Sequence, residues 1–244
     1  MNASTRNARF CEPPRSVLLL ASLVLMLGCW ECTASADLYY ELVSSLTPVG
    51  QEGQDGPTRK LKVYVRHRMV RAEDTEARKV IIARLDKGLI WGINEADGTY
   101  SEVAIEQLAD DWKEAQRDAG VSKRAKAAAT VEEGRTEETI AGYPCRKYTL
   151  IVDGQPLLQT WNTTALDVPE KEDLYDYIQA RGGLPKAILD KARALPGFPL
   201  RVRDVENIGA QKVEAFREIT LIRSEPADAK LFELPEGLKR VEIK

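Results

Sequence analysis

The sequence predicts an α+β protein in which helices cover one face of an antiparallel sheet. Three observations lead there: period-two alternation recurs along most of the chain beyond residue 36, hairpin-type turns join successive strands, and apolar residues at helical spacing are confined to two regions. The alternation is clearest from Lys60 to Val70. Leu61, Val63, Val65, His67 and Met69 fall on one side and Lys60, Lys62, Tyr64, Arg66 and Arg68 on the other, the pattern of one long strand with a buried and a solvated face. Shorter strands are predicted at Leu38 to Ser45, Lys79 to Leu85, Gly88 to Asn94, Thr136 to Ala141, Arg146 to Val152, Pro156 to Asn162, Leu200 to Glu206 and Gln211 to Ile222, about nine in all. Asp153-Gly154 between two apolar runs is a two-residue hairpin signal. Asp86-Lys87-Gly88 and Asn207-Ile208-Gly209-Ala210 suggest further hairpins, so the strands should form a meander.

Helical spacing begins after Ser101, a suitable N-cap, with Ile105, Leu108, Ala109, Trp112 and Ala115 on one stripe and Gly120 as a stop. A second helix opens at Val168 to Glu172 with acids in its first turn, passes through Leu174, Tyr175 and Ile178, and breaks at Gly182-Gly183. Pro185 opens a third, through Ile188, Leu189 and Ala192. Residues 122–135 are rich in Ala, Lys and Glu with little apolar face, and read as an exposed helix extension or mobile link inside a single domain, residues 37–244.

Residues 1–36 have the three-part layout of an export signal: Arg6, Arg9 and Arg15, an apolar run from Val17 to Leu27, and a small-residue stretch ending Ala34-Ser35-Ala36. The run is about half the roughly 20 residues a helix needs to span a bilayer, so cleavage is expected rather than anchoring. The protein should act outside the cytoplasm, in the periplasm or cell envelope. Two cuts compete. Ala34 and Ala36 satisfy the small-x-small preference of ordinary signal peptidase, which favours a cut after Ala36. Met26-Leu27-Gly28-Cys29 resembles the lipobox of bacterial lipoproteins, and a lipidated Cys29 would bring the protein into contact with a membrane.

Few chemistries remain open. With Cys11, Cys29 and Cys32 in the leader, Cys145 stands alone and within an apolar strand, which excludes an internal disulfide and paired-cysteine zinc sites and makes a packing role the expectation. His67 is the single histidine, read as a core or cavity residue, so hydrolase triads and most metal sites lose their usual support. No phosphate-binding glycine loop, dinucleotide fingerprint or nucleophile elbow occurs. A net charge of −3 with both signs interspersed argues against a nucleic-acid partner. Neither a cofactor nor enzymatic activity is expected. Asn162-Thr163-Thr164 matches a glycosylation sequon, a weak signal by chance frequency.

What remains is a covered apolar sheet face. Strand parity assigns Leu38, Tyr40, Leu61, Val63, Val65 and Met69 to it, and Trp91, Tyr148, Leu150 and Trp161 on later strands. Ordinary core packing explains these residues, and so does the lining of an apolar ligand cavity.

Three segments carry a family resemblance: Thr139-Ile140-Ala141-Gly142-Tyr143-Pro144-Cys145-Arg146-Lys147-Tyr148, then Gly197-Phe198-Pro199-Leu200-Arg201-Val202, then Ala229-Lys230-Leu231-Phe232-Glu233-Leu234-Pro235-Glu236-Gly237-Leu238. Together they resemble the bacterial family called domain of unknown function 4412, whose members look like relatives of the periplasmic lipoprotein-carrier (Lol) proteins. The resemblance implies a sheet curled into an open half-barrel, with helices covering a concave apolar face that takes acyl chains. It implies a lipid, acyl chain or lipidated protein as partner. A filled core serving a structural or interaction role is the alternative.

Overall fold

In the computed structural model, which describes residues 37–49, 57–108, 129–181, 186–208 and 211–242, the alternating segments become twelve strands of one open, curled sheet. They are β1 (Leu38–Pro48), β2 (Arg59–Arg66), β3 (Met69–Asp74), β4 (Lys79–Arg84), β5 (Leu89–Asn94) and β6 (Thr99–Ala104) in the first part of the chain. β7 (Thr130–Ile140), β8 (Tyr143–Val152), β9 (Gln155–Thr163), β10 (Phe198–Ile208), β11 (Gln211–Ser224) and β12 (Lys239–Arg240) follow. The order across the sheet is β12-β6-β5-β4-β3-β2-β1-β11-β10-β9-β8-β7. Strands β2 to β6 and β7 to β11 are thus two meanders, and β1 joins them by pairing with β2 on one side and β11 on the other. All pairs are antiparallel except β12 with β6. Hairpin turns follow the expected chemistry at Asp153-Gly154, where both residues have positive φ (52° and 73°) as a two-residue hairpin requires.

Helices α1 (Lys171–Arg181) and α2 (Lys186–Arg193) stand where predicted and pack on one face of the sheet. Leu174, Tyr177 and Ala180 of α1 join Tyr40, Val63, Val65 and Val70 in one buried cluster. Tyr175 joins Ile188, Leu189 and Ala192 of α2, with Leu150 and Leu158 beneath, in a second. The register keeps this face continuous: Tyr40 lies opposite Val63, Val63 opposite Ala72, and Ala72 opposite Ile81.

The opposite face is covered by the C-terminal segment. Three arginines on neighbouring strands hold its backbone, Arg66 donating to the Ala227 carbonyl (2.9 Å), Arg71 to Leu231 (2.9 Å) and Arg84 to Phe232 (3.2 Å). Phe232, in a 3-10 turn at Ala229–Phe232, is fully buried beneath them, with the Arg66 guanidinium 5.9 Å from its ring. Asp86 and Glu233 both bond Arg84, which holds their carboxyls below the usual carboxylate range.

Three expectations are corrected. The long strand from Lys60 to Val70 is a hairpin, turning at His67-Arg68 with Arg68 at φ 55°. A two-residue turn shifts parity by one, so Met69 pairs with Arg66 and lands on the arginine face, while His67 sits exposed in the turn, 3.8 Å from Asp173. Ser101 is not a helix cap: it lies inside β6, and among the described residues only 105–108 of that predicted helix are helical. The remainder of it lies outside the described residues. Residues 130–135 are neither helix nor link but the start of β7, an edge strand whose mostly exposed, Glu-rich side chains carry no apolar pattern because its backbone pairing with β8 alone supports it. Residues 122–128 and the leader, Cys29 included, lie outside the described residues.

Gly197, from the second resemblance segment, adopts φ 72°, and a Cβ there would lie 2.2 Å from the Thr163 carbonyl oxygen. Gly197→Ala is therefore expected to cost at least about 2 kcal/mol in urea denaturation. Because Arg84 lowers the carboxyl pKa values of Asp86 and Glu233, the stability these groups contribute is present above the ordinary carboxylate range. It is lost as pH falls through their lowered values. Replacing Arg84 by Met is expected to flatten the acid limb of the stability curve below about pH 4, measured by thermal unfolding across pH.

Candidate functional site

Two of the four register shifts among the sheet's described residues bear on the cavity beneath the helices. One interrupts the β1–β11 ladder between Glu41 and Leu42, where the extra residue Thr220 donates its hydroxyl to the Glu41 carbonyl at 3.3 Å. The other interrupts β10 between Pro199 and Arg201, leaving Leu200 as the extra residue, and a bulge is one of the few places where a sheet tolerates proline. Bulges bend a strand and re-aim its side chains. Here they flank a cavity of about 170 Å³.

Its floor is Tyr40 and Leu42 of β1, Ile219 of β11, Val202 of β10, and Leu158 and Thr160 of β9, with the bulged Leu200 beside them. Its roof is Leu174, Tyr175 and Ile178 of α1 with Leu189 and Ala192 of α2. The wall is overwhelmingly hydrocarbon and aromatic. Burial pushes the Tyr175 hydroxyl up to about 12 and the Tyr40 hydroxyl higher still, so both stay neutral, and Tyr175 donates to the Ala192 carbonyl at 3.1 Å.

Polar groups at the cavity are few. Arg217 pairs with Asp204 (2.8 Å) and Glu218 with Arg201. Lys171, half-buried at the first position of α1, donates to the Leu195 carbonyl at 3.0 Å and lies 5.7 Å from the Tyr175 ring, and burial lowers its pKa. The Thr160 hydroxyl is buried with no hydrogen-bond partner.

The residues selected by strand parity divide. Leu38, Tyr40, Val63 and Val65 are buried together on the helix face, with Leu61 partly buried on the same side, but Tyr40 alone among these reaches the cavity. Tyr148 and Leu150 also face the helices, in the cluster under α2. Met69 and Trp91 do not join them. Register carries Tyr64 opposite Arg71, Arg71 opposite Ile82 and Ile82 opposite Trp91, so Trp91 belongs to the arginine face. There it packs with Val80, Ile82 and Ile93 under Leu234 and Leu238, its indole donating to Glu102 at 2.8 Å. Trp161 is buried in the same cluster as Leu38, Tyr40, Val63 and Val65 but does not line the cavity; the cations of Lys147 and Arg201 lie 4.9 and 5.2 Å from its ring and its N–H donates to Glu138. Parity cannot be carried across turns whose lengths the sequence does not declare, and that is why Met69 and Trp91 fall on the other face.

The cavity residues supplied by the helices, together with Leu42, Leu158, Thr160 and Ile219, were missed as a site. Their signal was there in part, since Leu174, Tyr175, Ile178, Leu189 and Ala192 had been read as apolar helix stripes. Other candidate chemistry is occupied: Cys145 is buried with its thiol pKa raised by burial, and Asn162 of the sequon is 3% exposed with its amide on the Pro196 carbonyl. Among the described residues no group of three or more His, Cys, Asp or Glu side chains converges to hold a metal.

The family model for the domain of unknown function DUF4412 matches residues 55–238. The chain belongs to that family. No curated protein matches the sequence. Among solved structures, the DUF4412 chain is similar to an uncharacterized conserved protein from Thermus thermophilus, with 11% identity over 91% of this chain and 99% of that one and a TM-score of 0.46. It is similar also to a LolA superfamily protein from Nitrosomonas europaea, with 7% identity over 82% of this chain and 91% of that one and a TM-score of 0.36. A DUF1329 family protein from Desulfovibrio piger shows 10% identity over 91% and 98% of the two chains and a TM-score of 0.31. Likenesses this distant leave function to the chemistry of the cavity itself.

Ala192 is 3% exposed on the cavity roof. In a filled core Ala192→Leu would cost about 1–3 kcal/mol from overpacking, whereas with room above the sheet it is expected to leave the melting temperature unchanged or raise it, as read by calorimetry.

Proposed function

We propose that this DUF4412 protein is an exported, non-enzymatic envelope protein that holds the apolar chain of a lipid or lipidated partner between its helices and its sheet. The observation that carries this reading is the cavity of about 170 Å³ walled almost entirely by apolar side chains. A cavity of about 150 Å³ lined by Leu, Ile and Phe is known to stay dry and to bind benzene. Space of this size thus accepts the end of a hydrocarbon chain rather than a whole lipid, for which about 300 Å³ or more is usual. Binding is driven by apolar area leaving water, about 25 cal/mol per Å². On this reading the helix-bearing face is the concave side of the sheet, and α1 and α2 form a cover that separates further to admit a longer chain.

Export is part of the same proposal, and Asp37 supports the cut after Ala36. It is 3% exposed, pairs with Arg66 at 2.9 Å and accepts the Ala227 N–H at 2.8 Å, so the fold uses the chain from residue 37 onward and a cut after Ala36 leaves these contacts in place. Cleavage before Cys29 would instead retain residues 29–36, a tether of at most about 28 Å between lipid and domain.

Native mass spectrometry after gentle purification is expected to detect a co-purified lipid, and a fluorescent fatty acid is expected to bind the emptied protein and to bind Ala192→Leu at least tenfold more weakly. Absence of both the lipid and the fatty-acid binding would refute the reading.

A further inference from the structure

Two polar groups on the cavity wall are unexplained by packing. Thr160 is 4% exposed, lines the cavity, and its hydroxyl has no hydrogen-bond partner, although leaving a buried hydroxyl unpaired is costly and valine would occupy the same shape without that cost. Thr160 lies opposite Val202 on one side and Tyr148 on the other, and neither side chain supplies it a bond.

Lys171 presents the second anomaly. It lines the same cavity from the first residue of α1, where a cation opposes the helix dipole. Its ammonium is satisfied by one carbonyl and one ring face, and among the described residues no carboxylate lies within ion-pair distance of it. The acids beside it are engaged elsewhere or turned away: Glu172 pairs with Arg193, and Asp173 lies against His67. A half-buried lysine without an ion pair among the described residues, on the wall of a mostly apolar cavity that also holds an unpaired hydroxyl, has the composition of a head-group site.

Resting on the reading that the cavity takes an apolar chain, we propose that its ligand is a single-chain amphiphile with an anionic, oxygen-bearing head. The charge of a carboxylate or phosphate pairs with Lys171, and one of the ligand's oxygens accepts a hydrogen bond from the Thr160 hydroxyl. The tail enters between Tyr40, Leu174 and Ile219.

Calorimetric titration of the protein comprising residues 37–244 with decanoate, decyl phosphate, 1-decanol and decyltrimethylammonium tests this, since the four share one chain and differ in the head. The anions are expected to bind about tenfold or more tighter than the ammonium compound, and the tighter of the two anions names the head. Lys171→Met is expected to weaken the preferred anion about tenfold while leaving 1-decanol within about twofold, and Thr160→Val to weaken it about fivefold with no loss of melting temperature. Lys171→Arg and Thr160→Ser, which keep the charge and the hydroxyl, are expected to stay within about threefold of the unaltered protein. If all four compounds bind alike, or if Lys171→Met and Thr160→Val leave the anion's affinity unchanged, head-group recognition is wrong while chain binding stands. If none of the four binds, the apolar-chain reading fails with it.

Discussion

The pairing of β1 with β11 is the constraint on which the rest of the structure depends. Each meander could form from local hairpins, but only the insertion of β1 between β2 and β11 makes one sheet of them. The contact spans about 180 residues of chain, so its closure entropy is met late and must be repaid by burial. Leu38, Tyr39 and Tyr40 at the start of β1 are all buried, and Asp37 just before them ties the strand to Arg66 and to the Ala227 backbone. The bulge in this same ladder, at Thr220, flanks the cavity. The seam that completes the fold therefore also borders the cavity.

The sheet's two faces are covered by different physical means. On one, the helices bury a hydrocarbon interface in which Val65, Leu150, Ile188 and Leu189 are almost wholly excluded from water. On the other, arginine side chains from β2, β3 and β4 reach backbone carbonyls of the C-terminal segment and seat Phe232. Guanidinium groups suit that task because their planar donors serve a carbonyl and a carboxylate at once, as Arg84 does with Phe232, Asp86 and Glu233. Arginine hydrogen bonds are directional and fix the segment in register. The helix interface relies on area, tolerates sliding, and leaves a void where the bulges prevent close packing.

That division accounts for where the cavity lies. A void on the arginine face would expose charge and unsatisfied backbone, whereas a void under the helices is lined by side chains that lose little when a hydrocarbon replaces solvent or empty space. The family assignment from residues 55–238 adds membership without chemistry, and the chemistry comes from the side chains themselves. On the proposed reading, the Thr160 hydroxyl and the Lys171 ammonium give polarity to a mostly apolar wall.

Much of this was legible in the residues. Alternation and Gly-containing turns located most strands, and acids followed by an apolar stripe located α1, because these signals arise within one element and survive in any context. The first part of edge strand β7, residues 130–135, was hidden because its side chains have no buried face to encode, and the hairpin at His67-Arg68 because no glycine or asparagine marks it. Assignment to a face failed for Met69 and Trp91 for a related reason: parity is local to a strand, and each undeclared turn or bulge resets it. The sequence by itself determined an α+β chain with a covered antiparallel sheet and an apolar helix layer. Only the tertiary structure decided which residues meet at the cavity, since Tyr40, Thr160, Lys171 and Ile219 lie on four elements brought together by the long-range β1–β11 pairing and two bulges, neither of which any local pattern specifies.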